Sequence, residues 1–158
     1  MTYHMASIWE LIQKEDTLGI ESLIKSDKSV LEEKDQRGFT PLILSSYNGQ
    51  QDIVELLLEN GANVDGQDAA GNTALMGVCF KGEADIAETF LNHGANPNIQ
   101  NNKKMTALQF SVMFGQPWIA KLLIQNGADK TVEDEQGNTA LTAAKIQGNR
   151  ELIDLLSD

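Results

Sequence analysis

The sequence predicts an all-α solenoid of stacked helix pairs, and three observations carry that prediction. Glycine, threonine, leucine and isoleucine columns recur along the chain every 33 residues. Each period opens on turn-forming residues and then a Thr placed to cap a helix. Each then carries two apolar stretches at helical spacing. A helix pair this short cannot bury its own apolar stripe, so neighbouring units must supply the core. The lattice is dense. Gly38, Gly71 and Gly137 share one column, with Lys104 at the missing point. Thr40, Thr73, Thr106 and Thr139 form a second, and Leu42, Leu75, Leu108 and Leu141 a third. Gly49, Gly82, Gly115 and Gly148 follow, then Ile53, Ile86, Ile119 and Leu152. Gly61, Gly94 and Gly127 head three Gly-Ala-Asn/Asp triplets.

Taken in order, residues 7–34 read as a divergent first unit. Ser7 and Glu10 are spaced as a capping box in front of Ile8, Trp9, Leu11 and Ile12. Ile20, Leu23 and Ile24 match the apolar columns of the later second helices. In the second unit, Asp35 is placed to cap backbone N–H groups of a turn, and Gly38 supplies its positive φ. Thr40 caps a short helix whose first-turn Pro41 loses no hydrogen bond, and Gly49 ends it. Residues 52–59 make the second helix, which Gly61-Ala-Asn closes. The third unit repeats this grammar from Asp68. Asp52, Asp85 and Glu151 fall at second-helix starts, where negative charge suits the helix dipole. The fourth unit departs. Its turn is Asn101-Asn-Lys-Lys104, and a non-Gly residue at positive φ costs on the order of 1 kcal/mol or more, unless the turn changes shape. Pro117 fits the first turn of its second helix, and Trp118 stands where the other units carry an acid. The fifth unit, from Asp134, stops just after its second helix. One domain over 1–158 is expected, in units of approximately 2–34, 35–67, 68–100, 101–133 and 134–158.

Gly38-Phe-Thr-Pro-Leu42, Asn48-Gly49, Asp52-Ile-Val-Glu-Leu-Leu-Leu and Asn60-Gly-Ala-Asn63 closely resemble the ankyrin repeat, and the resemblance covers the chain from about Ala6 onward. It implies helix pairs with β-hairpin-like fingers between units, and a concave face made of fingers and first helices. It also implies a protein-binding role. Two departures stand out. The family's usual His after Thr-Pro-Leu is replaced by Ile43, Met76, Gln109 and Thr142, and only one unit keeps Pro after the Thr. Asn98 matches the position near the Gly-Ala-Asn turn at which some members are hydroxylated.

Composition removes several function classes. The formal charge of −11 makes the chain a poor binder of phosphate backbones; a nucleic-acid role would rest only on Lys103, Lys104, Lys121 and Lys130. No apolar run is long enough to span a membrane. One Cys excludes an intramolecular disulfide and a multi-Cys zinc site, and two His leave little for metal or triad chemistry. No cofactor is expected. Cys79 reads as a buried, inert thiol, and His93 as a helix-end cap or a solvated ring. A carboxylate dyad is the residual enzymatic alternative. The opening residues show no basic patch followed by an apolar core, so a cytoplasmic location is expected. If His4-Met5 is a cloning remnant replacing a native leader, the expected location is periplasmic or secreted.

In a repeat protein the framework recurs and the binding residues vary. The columns variable in this family fall on the fingers and late in the first helices. Among them Tyr47, Phe80, Met113 and Ile146 are spaced by 33 and are all large and apolar. They predict a row on the concave face, with Phe114 beside it and Phe39 and Met105 on the fingers. The competing reading is that these side chains fold onto their neighbours and seal the stack. Arg37, Lys81 and Lys103 are further candidates. Residues 101–133, with two acids and four bases, form the one unit of net positive charge. Trp118 is an apparent exposed anchor off that row, or a drifted surface residue. The expected partner is an unidentified protein, steered by the acidic surface if it carries a basic patch. A monomer is expected, with self-association as the structural alternative.

Overall fold

The computed structural model describes residues 5–157; His4 lies outside them. The helices come in pairs: α1 (Ile8–Gln13) with α2 (Thr17–Ser26), α3 (Pro41–Tyr47) with α4 (Gln51–Glu59), α5 (Ala74–Lys81) with α6 (Ala84–Asn92), α7 (Ala107–Met113) with α8 (Pro117–Gln125), and α9 (Ala140–Gln147) with α10 (Arg150–Leu156). The first helices of successive pairs pack on one another as one layer, and the second helices form another behind it. The core lies between the layers and continues from pair to pair. It runs from Ile8 and Ile12 through Leu42 and Leu57, Leu75 and Phe90, and Leu108 and Leu123, to Leu152.

The caps form as the sequence predicts. The hydroxyls of Thr40, Thr73, Thr106 and Thr139 accept from the N–H three residues on. Ser7 does the same for Glu10 N–H. The Gly82 and Gly148 caps are left-handed, and Gly49 and Gly115 take positive φ just past their helices. One element was not anticipated. A 3₁₀ turn at Lys28–Glu32, capped by Asp27, buries Val30 and Leu31 against the first two pairs.

The fingers are less hairpin-like than the resemblance implies. Among the described residues the only isolated bridge joins Gln67 to Thr73. Each finger is instead a turn braced by one side chain. The Oδ1 of Asp35, Asp68, Asn101 and Asp134 each accepts from the N–H groups two and four residues on. The Asn101 turn keeps this shape without its glycine, because Lys104 adopts φ 61°. Backbone bonds then link neighbouring fingers: Ala69 N–H to Arg37 O, Asn102 N–H to Ala70 O, and Glu135 N–H to Lys103 O.

A second seam ties the turns behind the helices. Glu32, Asp65 and Asn98, one column of the lattice, accept from the N–H of Asn63, Asn96 and Asp129 in the next unit. Asn98 Nδ2 also donates to Gly127 O. A third seam uses Lys34 and Gln67, which donate to the carbonyls of Gln67 and Gln100.

The residues standing in place of the family's histidine divide by chemistry. Ile43 and Met76 are buried apolar side chains. Gln109, also buried, acts as a polar strut. It accepts from Thr106 N–H at 2.8 Å and donates to Asn138 O at 2.9 Å and Val132 O at 3.1 Å. Gln109→Leu would leave Thr106 N–H and Val132 O without these bonds, while Asn138 O keeps the bond from Asp134 N–H, and is expected to cost about 1–3 kcal/mol. A fall in the urea midpoint with helix content retained below it checks this.

Candidate protein-binding face

The first-helix and finger face carries the predicted row. Tyr47, Phe80, Met113 and Ile146 are 40%, 49%, 48% and 76% exposed, against nearly full burial of their lattice neighbours in the core. They do not fold down to seal the stack. The period explains this: each lies at the end of a first helix, on the turn facing away from the second-helix layer.

Only part of the row is gathered into a site. A hollow of about 190 Å³ lies on this face across the second, third and fourth pairs. Phe39 and Tyr47 stand on one side, 6.4 Å apart at their centroids. On the other side Phe80 meets Phe114 edge-to-face at 4.9 Å, and Phe110 stacks with Phe114 at 6.0 Å. Met113 and Ile146 extend the exposed row but do not line the hollow. Met105 is half-buried on its finger, also outside it.

Two cations lie over rings of this hollow. The Arg37 guanidinium sits 4.1 Å from the Phe39 centroid and pairs with Asp35 at 2.7 Å. Burial pushes the Asp35 carboxyl up. Its bonds from Arg37 and from the N–H groups of Phe39 and Arg37 outweigh that and hold it below the usual carboxylate range. Lys81 Nζ lies 4.4 Å from the Tyr47 centroid and forms no salt bridge with a described residue. Lys103 is exposed at a finger tip, where its backbone carbonyl takes the bond from Glu135.

Trp118 is separate from all of these. It lies on α8 in the second-helix layer, 65% exposed. Lys121 Nζ is 5.9 Å from its ring, and Glu151, Asp154 and Leu155 of the last helix complete a shallow outer hollow.

Charge divides by face rather than by unit. The first helices and fingers (8–13, 35–47, 68–81, 101–113 and 134–147) hold five acids and five bases. The whole −11 falls on the remaining segments, with 18 acids and 7 bases. Helix starts on the outer layer account for part of it, including Asp52, Asp85 and Glu151.

Chemistry is sparse. Cys79 is fully buried, and desolvation pushes its thiol up to about 12. Its Sγ–H is 3.2 Å from Leu75 O. His93 caps α6, with Nδ1 2.8 Å from Thr89 O. Among the described residues no cluster of three His, Cys, Asp or Glu is placed to hold a metal, and no helix is long and apolar enough to cross a membrane.

The family model for ankyrin repeats, in three copies, matches residues 9–101 and 78–158. The chain belongs to the ankyrin-repeat family. Such repeats are in general protein–protein interaction modules, typically without catalytic activity. The stacked pairs, braced fingers and first-helix face of this ankyrin-repeat protein follow from that architecture.

Several residues that line the hollow lie outside the candidates the sequence offers, Phe110 and Gly77 among them. Phe110 reads as one more apolar residue of its helix. Gly77 gives no signal of its own, because a glycine offers no side chain to compare. Its lattice column, Leu44, Gly77, Phe110 and Ala143, was the available signal. Gly77 lies inside α5 at an ordinary helical φ, and a Cβ built on it meets nothing within 4 Å. Neither backbone geometry nor close packing calls for glycine there. Gly77→Ala is therefore expected to raise stability by about 0.5–1 kcal/mol, read from the denaturant midpoint. The Cys79 thiol is expected to resist a thiol reagent at pH 8 in the folded protein and to react fully in denaturant; fast labelling of the native form would contradict the burial.

Proposed function

We propose that this chain is a non-enzymatic binding module that holds a protein partner on its finger and first-helix face, in an adaptor, inhibitor or immunity-type role. The observation that carries this is the exposed apolar row of Tyr47, Phe80, Met113 and Ile146 on an electrically neutral face of a chain of charge −11. Aromatic and Met side chains enriched on a patch depleted of net charge are what interface cores are made of. Arg37, Phe39, Lys81, Lys103, Met105 and Phe114 surround the row and would supply its rim. A basic patch on the partner would pair with the acidic second-helix side rather than with the contact face itself. In this reading the protein acts as a monomer.

A pull-down from the native organism tests this, using wild-type chain, Met113→Asp and Trp118→Ala. Met113→Asp places a charge on an exposed helix end and should leave helix content intact while abolishing capture, a loss of at least about thirty-fold for an interface anchor. Capture retained in Met113→Asp but lost in Trp118→Ala would move the site to the outer layer. Sedimentation over a range of concentrations separates the self-associating reading, which requires a mass that grows with concentration.

A further inference from the structure

Gly77 lines the hollow and is the one lining residue without a side chain. Position 44 of the same column holds Leu and position 110 holds Phe, whereas position 77 holds nothing beyond the backbone. A glycine inside a helix is destabilising relative to alanine, and here no positive φ and no close neighbour compensates. α5 packs between α3 and α7, so the missing side chain leaves space between the Phe39–Tyr47 pair and the Phe80–Phe114–Phe110 group. That space, about 190 Å³, is larger than the roughly 150 Å³ apolar cavity known to take up benzene. Rings lining it can meet a guest ring edge-to-face or offset.

The cations beside the hollow specify the guest's neighbour. Asp68 lines the hollow, its Oδ1 accepting from the N–H groups of Ala70 and Asn72, and Arg37, over the Phe39 ring, is paired with Asp35. Lys81 remains, its ammonium over the Tyr47 ring with no salt bridge to a described residue.

We propose that the hollow over Gly77 is a socket for one aromatic side chain of a partner protein, with a carboxylate beside that side chain meeting Lys81. This rests on the reading of the finger and first-helix face as the binding face, and it adds which residue anchors there and what flanks it. Gly77 then trades helix stability for room. An apolar guest fills the socket by removing its own surface and that of the rings from water.

A phage-displayed random peptide library selected on the purified chain tests the socket. The expected consensus has Trp, Phe or Tyr next to Asp or Glu. Binding of the selected peptides should weaken at least about ten-fold in Gly77→Leu, whose side chain occupies the hollow. Lys81→Glu should turn the flanking preference from acidic to basic. Circular dichroism and thermal melting of Gly77→Leu and Gly77→Ala establish that both fold, and Gly77→Ala should melt no lower than wild type. No enrichment, a consensus without aromatics, or affinity unchanged in Gly77→Leu overturns the socket. Peptides that lose affinity in Met113→Asp but not in Gly77→Leu overturn the socket and leave the binding face standing. Peptides indifferent to both overturn the two together.

Discussion

Every helix described in this chain has ten residues or fewer, a length at which an isolated helix is marginal in water. Stacking is what stabilises them. Each pair buries one side of its apolar stripe within itself and the other against its neighbours, so the core is continuous without being central. The polar seams follow from that constraint. Pairs that must lie at one spacing can be linked by one repeated bond, and the same columns supply it: Glu32, Asp65 and Asn98 at the turns, and the backbone at the finger tips. Asn98 belongs to such a seam, with both its amide atoms engaged.

What could be read from the sequence was whatever the period repeats. Thr caps, Asx-braced turns and second-helix stripes recur four times, and each recurrence checks the others. Even the defective turn at Lys104 was legible, because three equivalents defined the φ it had to adopt. The exposed row was legible for the same reason: Tyr47, Phe80, Met113 and Ile146 keep one character at one register.

The rest was hidden because it lies in differences between columns or in space between units. Gly77 matters through the atoms it lacks. Phe110 matters because it lines one hollow with residues of the two preceding units, which spacing along a chain does not report. Gln109 was visible as a departure from the family pattern, but its bonds to the next finger were not. The 3₁₀ turn at Lys28–Glu32 belongs to the divergent first unit and had no counterpart to check it. Charge does not follow the period: residues 101–133 are the one positive unit, but the neutral set is the first helices and fingers taken across all units.

The second helices hold eight acids and three bases beside a neutral first-helix and finger set, so the two layers are polarised against each other. A dipole turns in the field of an approaching charged body before the two touch. A strongly basic surface would therefore be met first by the outer helices, and an acidic one by the neutral face that holds the aromatic rings. Orientation in the encounter is in this way already selective, in the opposite sense to what the net charge alone would suggest. Salt, which shortens the reach of that field to about 8 Å at physiological strength, would blunt the selection while leaving the apolar contacts themselves unchanged.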